Sequence, residues 1–199
     1  MELNYFAIRK NFEKHGFTTS YFKTKEEVVN YLVERLKGRS IGFGGSATVK
    51  ELGLFDALSR ENACVWHHRI AGDEIKLLAA ECRIYICSVN ALSETGEIVN
   101  VDGAGNRIAM TLYGPGKVYY IVGRNKIVKT REEAIYRAKN VACPKNAKKQ
   151  GVKTPCAIRG DKCYDCDSPE RICNCTIIMD RVPNRLSSEI IFVDEDLGM

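Results

Sequence analysis

Segments with helical periodicity alternate along this chain with short runs typical of buried strands, and this alternation constrains the fold most. Thr24-Lys25-Glu26-Glu27 is a capping box that opens a helix, and residues 83–89 are rich in β-branched and aromatic side chains. Further strands are predicted at 40–43, 63–66, 97–101, 117–122, 176–181 and 189–193, and helices at 3–15, 73–82, 130–141 and from about 48. Such alternation predicts an open, mostly parallel α/β sheet flanked by helices. We expect one domain, residues 1–199, with an antiparallel final pair of strands.

Composition narrows the classes of function. The net charge of +5 is too weak and dispersed to indicate a nucleic-acid partner. No apolar run approaches the roughly 18–20 residues of a membrane span, and residues 1–12 lack the apolar core of a secretory signal. Nine cysteines without an export signal then predict the reducing cytoplasm, where thiols stay free or bind metal.

Two segments carry the residue types of a ligand site. The first is the glycine-rich loop 42–48 between a strand and a helix, where backbone N–H groups and hydroxyls can approach an anion. The second is 90–107, which follows the best strand, where ligands of open α/β sheets bind. The predicted ligand residues are Gly44, Gly45, Ser46, Thr48, Asn90, Ser93, Glu94, Asp102, Gly103, Gly105, Asn106 and Arg107. Both segments also have a structural explanation: a capped turn in the first, and turn chemistry at Thr95-Gly96 and Asp102-Gly103 in the second.

Five of the nine cysteines crowd into an insertion at about 152–175. Their spacing predicts a metal centre held by Cys156, Cys163, Cys166 and Cys173, with Cys175 left over. Zinc ribbons usually carry two short Cys-x-x-Cys knuckles, and this segment has one. The irregularity favours a [4Fe–4S] cluster, with zinc as the alternative and a redox disulfide or unligated thiols as the remaining interpretation. The other four cysteines, Cys143 among them, are predicted to be small core residues.

Two further features are ambiguous. His67-His68 lacks nearby ligand spacing, which favours an ordinary strand end over a metal site. A basic run before and within the insertion is either a solvated face or the rim of an anion site. Its members are Lys145, Lys148, Lys149, Lys153 and Arg159.

Several of these motifs together resemble the LUD domain, the family of lactate utilisation proteins B and C. They are Gly44-Gly45-Ser46-Ala47-Thr48, Asn90-Ala91-Leu92-Ser93-Glu94-Thr95-Gly96-Glu97, Asp102-Gly103-Ala104-Gly105-Asn106-Arg107, Tyr113-Gly114-Pro115, the segment 122–128, Thr154-Pro155-Cys156 and Arg171-Ile172-Cys173-Asn174. The resemblance implies a fold like the glucosamine-6-phosphate deaminase, ribose-5-phosphate isomerase and CoA-transferase group. It also implies a role beside iron–sulfur subunits in lactate oxidation.

The resemblance leaves one catalytic candidate. Ser93-Glu94-Thr95-Gly96 is similar to the Ser-Glu-Asn-Gly motif of CoA-transferases, whose Glu attacks an acyl group, although Thr95 here replaces Asn. For Glu94 we therefore favour contact with the ligand over covalent catalysis.

Two functions follow from the sequence. The first is a metal-containing component of lactate-type organic-acid metabolism that binds a small anion, such as a carboxylate, a phosphosugar or a CoA ester. Redox partner subunits and an oligomer are compatible with it. The alternative is a non-catalytic ligand-sensing or scaffold protein whose metal only holds a loop.

Overall fold

The computed structural model describes residues 3–72 and 74–199, in which nine α-helices are present. They are α1 (Tyr5–Lys14), α2 (Lys25–Arg35), α3 (Ala47–Glu51), α4 (Leu54–Leu58), α5 (Ile75–Ala80), α6 (Asn106–Leu112), α7 (Arg131–Arg137), α8 (Cys143–Gln150) and α9 (Pro155–Arg159). A π-helical turn, Ala138–Ala142, joins α7 to α8. The predicted capping box is present at α2, where Thr24 and Glu27 exchange side-chain and backbone hydrogen bonds. Asp73, the first residue of the helix predicted at 73–82, lies outside the described residues.

The strands form two sheets. They are β1 (Thr18–Phe22), β2 (Ser40–Phe43), β3 (Ala63–Val65), β4 (Ile84–Cys87), β5 (Ala91–Ser93), β6 (Ile98–Asp102), β7 (Lys117–Gly123), β8 (Ile127–Val128), β9 (Cys175–Met179) and β10 (Ser187–Val193). Six of them form a central sheet in the order β1-β10-β7-β4-β2-β3, with every pairing parallel. A smaller sheet runs β8-β5-β6-β9, with β6 antiparallel to both neighbours. The predicted α/β class with a mostly parallel sheet is confirmed.

The core lies on both faces of the central sheet. Alternate residues of each strand point to opposite faces, so Ile121 packs with α2 to α4 on one face and Tyr120 packs with α1 on the other. The small sheet covers this second face, and α7 packs on the outer side of the small sheet. Burial on both faces explains the continuous apolar runs of the central strands.

The predicted antiparallel pairing of the last two strands is wrong. All of Ser188–Val193 in β10 is buried, and the strand lies between β1 and β7, parallel to both. In contrast, β9 begins with two exposed residues and is an edge strand beside β6. A strand buried on both faces suits the middle of a sheet, and one with exposed residues suits its edge. The prediction placed the two strands together only because they are adjacent in sequence.

None of the helices in residues 3–72 and 74–199 has the length and apolar character needed to cross a membrane.

Candidate functional site

The carboxyl ends of β3, β2, β4 and β7 meet at one edge of the central sheet. The segments that follow these strands, together with the turn between β6 and α6, surround a cavity of about 680 Å³. Ligands of open α/β sheets bind at this edge. Seven of the predicted ligand residues line the cavity: Gly45, Ser46, Asn90, Asp102, Gly103, Asn106 and Arg107. The two segments that the sequence singled out are therefore adjacent in the fold.

Three other predicted residues support the wall without lining it. The carbonyl of Gly44 accepts a hydrogen bond from the indole of Trp66 at 3.0 Å. Thr48 is fully buried, and its hydroxyl contacts Lys126. Gly105 precedes α6 with φ +82°, a left-handed conformation that favours glycine.

Ser93 and Glu94 are not brought to the cavity. The Ser93 hydroxyl accepts hydrogen bonds from the backbone N–H groups of Gly96 and Glu97, at 3.1 and 3.0 Å, and closes the turn after β5. The carbonyl of Glu94 accepts a hydrogen bond from Asn11 of α1 at 2.8 Å. Turn chemistry, the alternative interpretation, accounts for this hairpin.

Arg107 is held by the protein on all sides. Its guanidinium donates to the Asn100 and Asn90 side-chain oxygens at 2.6 and 2.9 Å, and to the carbonyls of Val101 and Ser88 at 2.7 and 3.3 Å. The remaining Nε lies 3.5 Å from the Asp102 carboxylate. A guanidinium has five N–H donors, and these partners engage its whole fork. Arg107 therefore fixes β4, β6 and α6 relative to one another. Because its N–H groups already have protein partners, it contributes positive charge to the cavity and few free hydrogen-bond donors.

Lys126, which the sequence analysis missed, lines the cavity from the 3₁₀ turn Arg124–Lys126 after β7. Its side chain is buried, and Nζ donates to the hydroxyls of Thr48 and Ser88 at 2.7 and 2.9 Å. Burial, followed by the charges of the nearby Arg137 and Arg107, lowers the pKa of Lys126 to about 7. In the sequence, this lysine lies within the family-like segment 122–128, which gave it no role of its own.

His67 and His68 also line the cavity, although the sequence favoured an ordinary strand end. Their rings meet edge to face with centroids 4.4 Å apart, and a β-carbon at Gly45 would lie 3.5 and 3.6 Å from their Nε2 atoms. Burial lowers the pKa of both residues, that of His68 to about 4. Both imidazoles are therefore neutral at pH 7 and offer hydrogen bonds without charge.

The cavity has a strong surplus of positive charge. Within the described part of the chain, five cationic side chains line it: Lys76, Arg107, Lys126, Lys149 and Arg171. Asp102 is the one acidic side chain among the described lining residues, and it already contacts Arg107. Of the basic run that the sequence singled out, Lys149 alone is part of this lining. The cavity has the electrostatics of an anion site.

The cysteine segment forms one wall of the same cavity. Arg171, Ile172 and Asn174, which flank Cys173, line it. The Asn174 amide donates to the carbonyl of Gly103 at 3.2 Å, which ties the segment to the turn between β6 and α6. The order of this segment and the shape of the cavity are thus linked.

The thiols of the segment approach one another around Cys143. Burial, followed by the neighbouring Cys173, Cys163 and Cys156, raises the pKa of Cys143 to about 12. Cys166 lies close enough to Cys173 to raise the pKa of that thiol, which burial raises most. Within residues 3–72 and 74–199, however, no three Cys, His, Asp or Glu side chains have the geometry of a formed metal site. Cys143, which the sequence assigned to the core, is thus a fifth thiol beside the predicted ligands, whereas Cys175 is exposed at the start of β9.

The comparisons with known proteins agree with this architecture. A crystal structure of a DUF162 family protein from Deinococcus radiodurans is similar, with a TM-score of 0.55 over 94 % of each chain and 12 % sequence identity. At that identity the likeness concerns the fold alone. No curated protein matches the chain in a sequence search. The family model of the LUD domain matches residues 7–193, so this chain belongs to the LUD domain family.

Proposed function

We propose that this LUD-domain protein binds a small organic anion in the strand-end cavity, as a component of lactate-type organic-acid metabolism. The observation that carries the proposal is the charge of the cavity, which five basic side chains and one acidic side chain line. Like charges at close range repel, and an anion in their midst offsets that repulsion. A carboxylate, a phosphosugar or a CoA ester supplies the required charge, and the volume lies in the range of small-molecule sites.

The lining residues contribute in different ways. Lys149 and Lys76 are exposed and attract an anion at the entrance, whereas Lys126 is buried deeper. Ser46 and Asn106 supply neutral hydrogen-bonding groups. A ligand with an anionic group and further polar oxygens matches this combination.

The cavity charge can be tested by reversing Lys149. Lys149→Glu is expected to weaken binding of the preferred anion by about tenfold or more, because a nearby cation becomes an anion. The measurement is a thermal-shift panel with L-lactate, inorganic phosphate, glucosamine 6-phosphate and acetyl-CoA, since a ligand that binds the native state raises the melting temperature.

The matched control is Lys145→Glu. Lys145 is exposed on the same helix, α8, and is not among the cavity residues. The control should keep the shift of the wild-type protein, with the same change in net charge. Equal losses in the two variants, or no shift with any anion, would contradict an anion site in this cavity.

We propose, second, that the cysteine segment binds a metal centre through Cys156, Cys163, Cys166 and Cys173, with [4Fe–4S] favoured and zinc as the alternative. The surroundings of two of these thiols support the proposal. The backbone N–H of Asp165 donates to Cys163 Sγ at 3.4 Å. The Arg171 guanidinium lowers the pKa of Cys173, although burial, the larger effect, raises it. Both contacts favour thiolates, the form that binds metals. When bound, an iron–sulfur cluster supplies one-electron transfer, which suits redox partner subunits.

A non-catalytic ligand sensor is the second candidate function. The observation that favours it is the shared wall, since Arg171 and Asn174 belong both to the cysteine segment and to the cavity. Binding of an anion would then order the segment, or a bound metal would hold the cavity in shape. Zinc in place of a cluster would support this candidate over electron transfer.

A further inference from the structure

Lys126 is a buried amine with no carboxylate partner among the residues that the structure describes. Its side chain is 4 % exposed, yet it lines the cavity. Buried ammonium groups are normally paired with a carboxylate, because desolvation of an unpaired charge is costly. Among the ion pairs of residues 3–72 and 74–199, none includes Lys126. Its hydrogen-bond partners are two neutral hydroxyls.

These hydroxyls act as acceptors for Nζ. The Ser88 hydroxyl donates to the carbonyl of Ile121 at 2.6 Å, and the Thr48 hydroxyl donates to the carbonyl of Leu197 at 3.3 Å. Each therefore presents a lone pair to the amine. A neutral amine satisfies both with its two N–H bonds and keeps its own lone pair for another atom.

The charged groups around Lys126 come from several elements. Arg137 of α7 and Arg107 of α6 disfavour the ammonium form, as does burial, the largest effect. Glu51 of α3 and Cys87 of β4 act in the opposite direction and are weaker. With a pKa of about 7, roughly half of the amine is unprotonated at neutral pH, against about one part in three thousand for an ordinary lysine.

We propose that Lys126 is a nucleophile that condenses with the carbonyl group of an anionic ligand to form an imine. The nitrogen lone pair bonds to the carbonyl carbon while one proton moves from nitrogen to oxygen. The resulting hydroxyl then takes up the second nitrogen proton and leaves as water while the C=N bond forms. No oxidant or reductant takes part. This inference rests on the proposed anion site, and it narrows the ligand to an anion with an aldehyde or ketone, such as a 2-oxo acid or a sugar phosphate in its open form.

Reductive trapping tests the inference. The wild-type protein is incubated with glyoxylate or with glycolaldehyde phosphate in the presence of sodium cyanoborohydride, and the modified peptides are identified by mass spectrometry. We expect labelling of Lys126 at pH 7 to be at least about a hundredfold faster than that of Lys117. Lys117 is the matched comparison, because its Nζ lies 3.4 Å from the Glu189 carboxylate and outside the cavity. Labelling of Lys126 should rise with pH around a midpoint near 7, in keeping with its pKa.

Two variants complete the test. Lys126→Arg keeps a positive charge and cannot form an imine, so the adduct should disappear, whereas Lys117→Arg should retain it. The two probes separate the anion classes, since faster trapping of glyoxylate indicates a carboxylate and faster trapping of glycolaldehyde phosphate indicates a phosphate. Peptide mapping of the wild-type protein gives the site even if a variant folds poorly.

Calorimetric titration of both probes without reductant distinguishes the two proposals. Binding without any adduct on Lys126 would overturn the nucleophile and leave the anion site intact. Neither binding nor trapping would overturn both. Labelling spread over exposed lysines and unchanged in Lys126→Arg would likewise overturn the nucleophile.

Discussion

Arg107→Ala is expected to lower the free energy of unfolding by about 3–5 kcal/mol, the range for a buried charged network that loses one partner. The substitution removes the guanidinium donors to the side-chain oxygens of Asn100 and Asn90 and to the carbonyl of Val101, and it leaves the Asp102 carboxylate without its cation. Each amide oxygen keeps one backbone N–H donor, so the unpaired Asp102 charge carries most of the expected cost. Urea unfolding followed by circular dichroism measures the change. The sequence predicted that Arg107 binds the ligand, whereas its contacts in the structure indicate that it mainly stabilises the fold.

Arg124→Ala is the control for this experiment. Arg124 is half exposed and pairs with Asp196 at the surface, at 3.0 Å. Exposed pairs contribute little to stability, so the control should be destabilised far less than Arg107→Ala. If the two variants were equally stable, the network around Arg107 would not be a major stabilising element. Arg107→Lys is expected to rescue only part of the loss, because an ammonium lacks the planar fork.

The second large effect concerns the metal centre. Anaerobically purified wild-type protein is expected to be brown, with absorbance near about 400 nm, and serine at Cys156, Cys163 or Cys173 should abolish the colour. Each change removes one thiolate from a set that needs four. Cys64→Ala and Cys82→Ala are the controls, because these thiols lie outside the cysteine segment, one half-buried and one buried. Absorption spectra and iron content give the result.

Serine variants of Cys143 and Cys166 identify the fourth ligand of the metal centre. The sequence spacing favours Cys166, so Cys166→Ser should bleach the protein and Cys143→Ser should not. The opposite pattern would assign the position to Cys143, which neighbours the other three thiols. A colourless anaerobic preparation with one equivalent of zinc would contradict the cluster, and it would favour the sensor or scaffold function.

The parts of the fold with local signals were predictable from sequence. The strand-to-helix turn after β2 was predictable because glycines and hydroxyl residues mark such turns, and Ser46 caps the helix by accepting a hydrogen bond from the Val49 N–H at 3.2 Å. Strand β1 was missed because Thr18–Phe22 forms an edge of the sheet, where partly exposed residues such as Thr19 and Ser20 do not produce a buried run.

The deeper part of the site depends on contacts that sequence patterns do not carry. Lys126 contacts Ser88, which lies 38 positions away in the sequence, and Thr48, which lies 78 positions away. An isolated lysine after a strand has the same sequence signature whether it is solvated or buried. Cys143 likewise joins the thiols only because α8 and α9 pack together. Burial of such residues is a property of the tertiary fold.

Hydrogen–deuterium exchange with and without anion shows whether an anion binds in the strand-end cavity. The exchange of wild-type protein is followed with L-lactate, inorganic phosphate and acetyl-CoA in turn, each at the highest concentration used in the thermal-shift panel. A bound anion is expected to slow exchange in peptides that cover 44–48, 102–107 and 124–126, because these segments surround the cavity. Protection confined to 93–97, the turn between β5 and β6 that carries Glu94, would contradict binding in the cavity and would place the ligand at this turn instead.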